Sequence, residues 1–272
     1  VARHPAHYFR CGIPALTPEA FLEKAQAGEL HHSEGVPFLD LQAQHHMIYN
    51  PIDEAVTDIV ANTGFILGKY VEAFEKDFAE AQGAKFSLAV SSGTDALHIA
   101  LAALGVGAGD EVVVPVNTFI ATAEAVSLIG ARPIFVDCNA HFNIDTDRIE
   151  ALIKAKQSRK DPIPKAMVPV HLYGQPADMG RIMAIAEKYG IHVVEDACQA
   201  HLARLNGQTV GTFGAFGAFS FYPGKNLGAY GEGGSLVTND KKLYENARMD
   251  HLTHEIYHSP RSIQGNNYQI QA

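Results

Sequence analysis

The sequence predicts an α/β fold in which a mostly parallel sheet is covered by helices on both faces. Short runs rich in β-branched residues alternate with amphipathic helical runs from Val36 onward, and parallel strands need such helical crossovers. With 272 residues, 47% of them hydrophobic, the chain is long enough to bury a substantial core. We therefore predict one large α/β domain over residues 36–272. Residues 1–35 read as an extension or as the tail of a preceding domain.

The predicted elements follow one another along the chain in a regular order. In the leading segment, Thr17 as a cap and Pro18 in the first turn predict a short helix that ends near Gly28. Two amphipathic helices follow, at 50–61 and 69–82. Strands are then predicted at FSLAV, EVVVP, RPIFVD, KAMVPVHL, IHVVED, GAFSFY and GSLVTN, and helices at 94–104, 119–129, 146–156 and 178–189. Asn206-Gly207 is a hairpin signal.

The charge and the cysteine count argue against several classes of partner and site. Thirty acidic residues against 21 basic ones give a net charge of -9, which disfavours nucleic acid or an acidic membrane as the main partner. Cys11, Cys138 and Cys198 are widely spaced, so neither a disulfide framework nor a zinc site is indicated, and no metal site is predicted among the histidines. With no long apolar run and no signal-peptide pattern, a cytoplasmic protein is expected.

One lysine stands in a stretch, AFSFYPGKNLGAYGEGG, that is otherwise apolar, aromatic and rich in glycine. Between Phe219, Phe221 and Tyr222, the amine of Lys225 is expected to be poorly solvated. Poor solvation favours a neutral amine, and this is how proteins make a nucleophilic lysine. The alternative is a lysine at a turn with its head in water.

Two strand ends supply groups that complement such a lysine. FSLAV is followed by SSGTDALHIAL, where Gly93 permits a tight turn and Thr94 and Asp95 open a helix. Free N–H groups at this turn can hold a phosphate, although the same pattern is also an ordinary helix cap. IHVVED ends in Asp196, a carboxylate that needs a cation nearby or caps a helix. Phosphate turn, aspartate and lysine are together the three contacts that pyridoxal phosphate needs.

The segments SGTDALHIAL, VVEDACQAH and FSFYPGKNLGAYGEGG, in this order, resemble the signature segments of the DegT/StrS family of sugar aminotransferases. Members of this family are fold type I enzymes that use pyridoxal phosphate, and the likeness runs from about Val36 to the last residue. The resemblance implies the large domain of that fold, in a chain that stops before the family's small C-terminal domain.

The resemblance also implies a role for each matching position. Lys225 matches the lysine that forms a Schiff base with the cofactor and later moves the proton, and Asp196 matches the partner of the pyridine nitrogen. Six further cofactor contacts are implied: Gly93, Thr94, Asp95 and Ser220 at the phosphate, Phe119 stacked on the ring, and Gln199 near the ring hydroxyl. His171, at a strand end, and Tyr222 are candidate substrate contacts.

A seventh implied cofactor contact comes from a second copy of the chain. Asn267 matches an asparagine that reaches the cofactor of the neighbouring subunit in this family, which predicts a homodimer with shared active sites. Gln269 stands where the family usually has arginine, so the pattern departs from the family at this contact.

The implied reaction moves an amino group from L-glutamate to a nucleotide-linked keto sugar. FYPGKNLGAYGEGG is more similar to members that act at carbon 3 of dTDP- or UDP-linked 3-keto sugars than to members that act at carbon 4. The alternatives are a 4-keto sugar aminotransferase, the sugar 3-dehydratase branch, in which histidine replaces the lysine, and a non-catalytic binding or regulatory module. VARHPAHYFR resembles the closing residues of left-handed β-helix acyltransferases, so residues 1–35 are the end of a fused acyltransferase or a simple extension.

Overall fold

The computed structural model describes residues 40–256, which belong to two compact units, one ending at Asn62 and the other beginning at Thr63. The described part of the first unit is helix α1, Leu41–Ala61, with Pro51 in its interior. The sequence predicted this helix only from residue 50, since proline is most common in a first helical turn. The predicted boundary at residue 35 and the helix near Thr17 lie outside the described residues.

The second unit contains six helices and nine strands among its described residues. The helices are α2 Lys69–Gln82, α3 Gly93–Ala103, α4 Ile120–Leu128, α5 Thr146–Arg159, α6 Met179–Tyr189 and α7 Lys241–Ile256. The strands are β1 Phe86–Val90, β2 Glu111–Pro115, β3 Arg132–Val136, β4 Ala166–Met167, β5 His192–Asp196, β6 Arg204–Leu205, β7 Gln208–Thr209, β8 Phe216–Ser220 and β9 Gly234–Thr238. Within the described chain, no helix is both long and apolar enough to cross a membrane.

Seven of these strands form one sheet in the order β1-β9-β8-β5-β4-β2-β3. The pairs β8–β5, β5–β4, β4–β2 and β2–β3 are parallel, and only β9 runs against its neighbours. The mostly parallel α/β fold is therefore confirmed. The carboxyl ends of β1, β5 and β8 lie at the same edge of the sheet, where open α/β sheets bind their ligands.

Both faces of the sheet are covered, as the alternation in β2 illustrates. Val112 and Val114 belong to the core cluster that α3 covers with Leu97 and Leu101. Val113, between them, belongs to a second cluster, which the isoleucines of α5 and α6 cover from the opposite side. A strand buried on both faces reads as a continuous apolar run, which is why EVVVP was recognisable in the sequence.

Strand β4 is much shorter than the run KAMVPVHL predicted. After Met167 the backbone still bonds to both neighbours, because Val168 N–H donates to Val113 O (2.8 Å) and Asp196 N–H to the carbonyl of Pro169 (2.9 Å). Proline has no N–H to continue a ladder, and the chain leaves the sheet as a 3₁₀ turn, Leu172–Gly174. The predicted hairpin is confirmed: β6 and β7 are antiparallel, and both turn residues, Asn206 and Gly207, have positive φ.

Candidate active site

A cavity of about 550 Å³ opens at the carboxyl ends of β1, β5 and β8. Eight of the eleven residues that the sequence singled out as site candidates line it: Gly93, Thr94, Phe119, Asp196, Gln199, Ser220, Tyr222 and Lys225. Residues separated by more than 130 positions thus meet in one concave site. Of the other three, Asp95 and His171 lie outside the lining, and Asn267 lies outside the described residues.

The first turn of α3 forms one wall of the cavity. Ser92 caps the helix, since its Oγ accepts a hydrogen bond from the N–H of Asp95 (3.1 Å). The N–H groups of Gly93 and Thr94 lie in the first turn, where no carbonyl within the helix can accept from them. A Cβ at position 93 would lie 2.6 Å from Sγ of Cys198 and 2.8 Å from Cβ of Ser220. Only glycine fits here, and the turn can hold an anion such as phosphate.

Asp95 lies in the same turn but outside the cavity lining, so the phosphate contact predicted for it stays a prediction. Its carboxylate accepts hydrogen bonds from the hydroxyls of Ser91 and Ser92, the latter at 2.9 Å. Burial raises the pKa of Asp95, an effect that the two serine hydrogen bonds oppose. The side chain is therefore turned into the cap of α3, where it fixes the direction of the helix start.

Asp196 ends β5 with its carboxylate buried at the cavity wall. Oδ2 accepts a hydrogen bond from the hydroxyl of Thr122 on α4 (2.8 Å), and Oδ1 accepts one from the N–H of Cys198 (3.2 Å). Thr122 in turn lies 2.8 Å, oxygen to oxygen, from Thr118, which also lines the cavity. Because the Thr122 proton is committed to Asp196, the Thr118 hydroxyl donates to Thr122. Neither threonine was predicted as a site residue, although they stand only four positions apart in NTFIATAEAV.

Lys225 is half-buried and lies in a turn, with its N–H donating to the carbonyl of Tyr222 (2.8 Å). The aromatic residues expected around it are placed differently. Phe219 and Phe221 are buried in a separate cluster with Phe78, and Tyr222 is 54% exposed. Phe219 and Phe221 therefore do not enclose the lysine, which lines the cavity together with Tyr222.

Two further groups in the cavity lining affect what the lysine can do. Glu232, which was not predicted as a site residue, also lines the cavity. Burial raises the pKa of the Cys198 thiol well above its usual range, with the charge of Asp196 adding to the effect. The thiol is then protonated at neutral pH and is a poor nucleophile.

Gln199 has a fixed orientation beside the cavity. Its Oε1 accepts a hydrogen bond from the N–H of Tyr173 (2.8 Å), in the 3₁₀ turn after β4. The amide oxygen is therefore engaged by the protein, and the Nε2 donors are the atoms that remain for a ligand.

His171 is fully buried, which corrects its predicted contact with substrate. Its Nε2 lies 3.0 Å from Oε2 of Glu195, and its Nδ1 accepts a hydrogen bond from the N–H of Ala177 (3.0 Å). Both ring nitrogens are used inside the protein, away from the cavity. Val170 and Leu172, the residues on either side, line the cavity instead.

The sequence profile of the DegT/DnrJ/EryC1/StrS aminotransferase family matches residues 47–270 of the chain. The chain belongs to this aminotransferase family. A relative in the family from Acidithiobacillus ferrooxidans, a UDP-N-acetyl-3-dehydro-alpha-D-glucosamine 3-aminotransferase, is 46% identical over 82% of this chain and 59% of its own length. Another, named a pleiotropic regulatory protein, from Geobacillus stearothermophilus, is 46% identical over 79% of this chain and 56% of its own.

A solved structure shows the same fold. The structure of DesV from S. venezuelae in complex with a ketimine intermediate has a TM-score of 0.76 and is 40% identical, with 87% of this chain and 63% of DesV covered. The fold type I architecture that the family resemblance implied is confirmed. The chain spans slightly more than half the length of the curated relatives it matches.

Proposed function

We propose that this protein is an aminotransferase that uses pyridoxal phosphate to move an amino group from L-glutamate to a nucleotide-linked 3-keto sugar. The observation that carries the proposal is the convergence of Lys225, Asp196 and the Gly93-Thr94 turn on one cavity. These groups match the aldehyde, the ring nitrogen and the phosphate of the cofactor in number and chemistry. The close packing of Gly93 supports the fit, since any side chain there would overlap Cys198 and Ser220 and push the turn away from Ser220.

The residues of the cavity have separate tasks in the proposed reaction. Asp196, held by two hydrogen bonds, is the acceptor for a protonated ring nitrogen. The Nε2 of Gln199 donates toward the ring hydroxyl, and the Gly93-Thr94 turn and Ser220 hold the phosphate. When bound, the cofactor supplies the aldehyde that takes up the amino group and a ring that withdraws electrons. Lys225 is the base that moves a proton between donor carbon and cofactor.

The overall exchange balances, because one amine and one ketone enter and one ketone and one amine leave. L-glutamate leaves as 2-oxoglutarate, and the keto sugar leaves as the amino sugar, so no outside oxidant or reductant is needed. Carbon 3 as the site of amination is supported by the sequence around Lys225 and by the name of the A. ferrooxidans relative. We further propose a cytoplasmic location, because Cys138 and Cys198 are both free thiols.

The cofactor half of the proposal is tested with the full-length protein, pyridoxal phosphate and L-glutamate. We expect a long-wavelength absorption band that L-glutamate bleaches while 2-oxoglutarate is released. Borohydride reduction before glutamate addition should fix the cofactor covalently to Lys225, as located by peptide mass spectrometry. Lys225→Ala should lose this attachment, whereas Lys242→Ala, a change at an exposed lysine on α7, should keep it.

The sugar half is tested with matched UDP- and dTDP-linked 3-keto and 4-keto sugars as acceptors. Turnover with a 3-keto sugar supports the proposal, and turnover only with a 4-keto sugar replaces it with the 4-keto reaction. Loss of a sugar hydroxyl without amination would assign the protein to the dehydratase branch, which the presence of Lys225 disfavours.

A second candidate function is a binding or regulatory module without catalysis. The name of the G. stearothermophilus relative favours it. Retention of the whole set of cavity residues favours the enzyme. A folded protein that forms no cofactor band would favour the module.

We also propose that the active unit is a homodimer in which each subunit completes the other's site. Large apolar side chains are exposed in the second unit, among them Phe119 (72%) at the cavity and Ile120 (66%) next to it. Contiguous exposed apolar patches mark protein interfaces, and Phe119 and Ile120 are adjacent in the chain. Asn267 is the residue proposed to reach across.

Subunit complementation tests the shared site. Lys225→Ala and Asn267→Ala should each abolish most activity, and refolding an equal mixture should restore about a quarter of it. Half of the dimers are then mixed, and each mixed dimer has one intact site. If the refolded mixture has only the average of the residual activities of the two variants, each subunit works alone.

A further inference from the structure

Glu195 is a carboxylate with no exposed surface, one residue before Asp196. It accepts four hydrogen bonds: from Nε2 of His171 (3.0 Å) and from the N–H groups of Gly211 (2.7 Å), Phe213 (2.7 Å) and Gly214 (2.8 Å). A buried carboxylate is tolerated only when its acceptor sites are filled by donors. Glu195 meets this condition and thereby joins three segments of the chain.

The tautomer of His171 follows from its second hydrogen bond. Because Nδ1 accepts from the N–H of Ala177, the ring proton is on Nε2 and points to Glu195. The imidazole is therefore a directed link between the Glu195 carboxylate and the backbone at Ala177. Its position determines the path of the chain between residues 171 and 177.

This segment touches two of the cavity residues through its backbone. The N–H of His171 donates to the carbonyl of Asp196 (3.0 Å). The N–H of Tyr173 donates to Oε1 of Gln199 (2.8 Å), while Tyr173 itself has a φ of 52°. A tyrosine in the left-handed region is unfavourable by itself and persists only where its surroundings impose it. His171 and Ala177 lie on either side of this strained turn.

We propose that Glu195 and His171 are positioning residues that hold the 171–174 turn so that Gln199 presents its Nε2 donors to the cofactor ring. Neither residue lines the cavity, and the effect passes through the N–H of Tyr173. This inference rests on the proposed function, because it assigns Gln199 a cofactor to bind. It gives the His171 side chain a positioning role in place of the substrate contact that was predicted for it.

The test is a double-mutant cycle read on cofactor affinity in the full-length protein. His171→Leu should raise the Kd for pyridoxal phosphate about tenfold when Gln199 is present, and less than twofold in a Gln199→Leu background. Thermal unfolding of the cofactor-free protein is measured alongside. A merely structural role for His171 predicts an equal loss of affinity in both backgrounds, and that result would overturn the proposal.

Two further variants keep the test decisive if His171→Leu does not fold. Glu195→Gln keeps the size of the side chain but turns an amide NH₂ toward backbone N–H donors, and it should give the same dependence on Gln199. Ser87→Ala removes a buried hydrogen bond to Ser235 (2.8 Å) in the same sheet and is the matched control. It should lower the unfolding temperature without changing the Kd.

The outcomes separate this inference from the proposed function. If the wild-type protein binds pyridoxal phosphate but the substitutions at His171 and Gln199 act additively, the proposed function stands and the positioning role is rejected. Wild-type protein that folds but does not bind the cofactor rejects both. A non-additive cycle together with a shifted absorption maximum in His171→Leu supports both.

Discussion

Thr122 donates its hydroxyl proton to the carboxylate of Asp196, with 2.8 Å between Oγ1 and Oδ2. The two residues are 74 positions apart, on α4 and at the end of β5, and both belong to the cavity lining. The hydrogen bond from Thr122 occupies one lone pair of the Asp196 carboxylate and fixes the plane of that carboxylate. The oxygen that faces the ligand is thereby held in one orientation.

Thr122→Val tests this contact, because valine keeps the shape and removes the donor. Hydrogen bonds to charged groups contribute about 1.5–3 kcal/mol, so we expect the Kd for pyridoxal phosphate to rise roughly tenfold. Thr118→Val, which is one hydrogen bond further from the carboxylate, should have a smaller effect. Equal effects of both variants on cofactor fluorescence titrations would contradict this order.

Gly93→Ala should distort the phosphate cradle. The added Cβ would meet Sγ of Cys198 and Cβ of Ser220, so either α3 or β8 must shift. We expect loss of affinity for pyridoxal phosphate and a destabilisation of about 1–3 kcal/mol, as for other overpacked sites. Gly64→Ala is the matched control, since nothing lies within 4 Å of its added Cβ. Urea unfolding and cofactor titration of both variants measure the difference.

His201 should make the protein less stable in mild acid. Burial against Phe78, Phe219 and Phe221 lowers the pKa of its imidazole below the usual value of about 6.5. The unfolded chain then binds more protons than the folded one below that pH. The contribution of His201 to stability is present above pH 6.5 and declines as the pH falls toward the lowered value.

His201→Phe keeps the aromatic packing and removes the titration. We expect the unfolding free energy of the variant to change less between about pH 5 and pH 7 than that of the wild type. Chemical denaturation at several pH values gives both curves. Parallel curves would show that His201 does not contribute to this dependence.

Cys198 should resist alkylation although it lines the cavity. Because burial raises the pKa of its thiol, the reactive thiolate is scarce at pH 8. Iodoacetamide is expected to label Cys138 first in the native protein, and both residues to be labelled to the same extent after unfolding in urea. Peptide mass spectrometry over time gives the two rates, and faster labelling of Cys198 would refute the assignment.

The backbone of the candidate site could be predicted from the sequence because its signals are local. Three features each indicate a turn at their own position in the chain. They are a glycine before a helix start, an aspartate at the end of an apolar strand and a lysine between glycines. The parallel order of the strands then brings these ends to one edge of the sheet. Gly93, Asp196 and Lys225 were found in this way.

The partners of these residues could not be predicted, because they depend on how distant elements pack. Thr122 becomes a donor to Asp196 only once α4 has packed onto the sheet, and nothing in NTFIATAEAV indicates that contact. His171 was placed on the wrong side of the sheet edge for a related reason. Pro169 interrupts the ladder two residues before it and a 3₁₀ turn begins directly after it, so the sequence did not indicate that the ring of His171 would be buried.

Strand β9, which lies between β1 and β8 in the sheet, determines when the cradle can exist. Ser87 on β1 bonds to Ser235 on β9, 148 positions later, and a Cβ on Gly234 would lie 2.3 Å from the carbonyl oxygen of Ser92. The turn around Gly93 is therefore packed against residues that leave the ribosome long after it. During synthesis, the edge of β1 that pairs with β9 stays unpaired until β9 has been made, and other strands can bind to it. Nascent chains that stall before residue 234 should therefore aggregate readily and should not bind the cofactor.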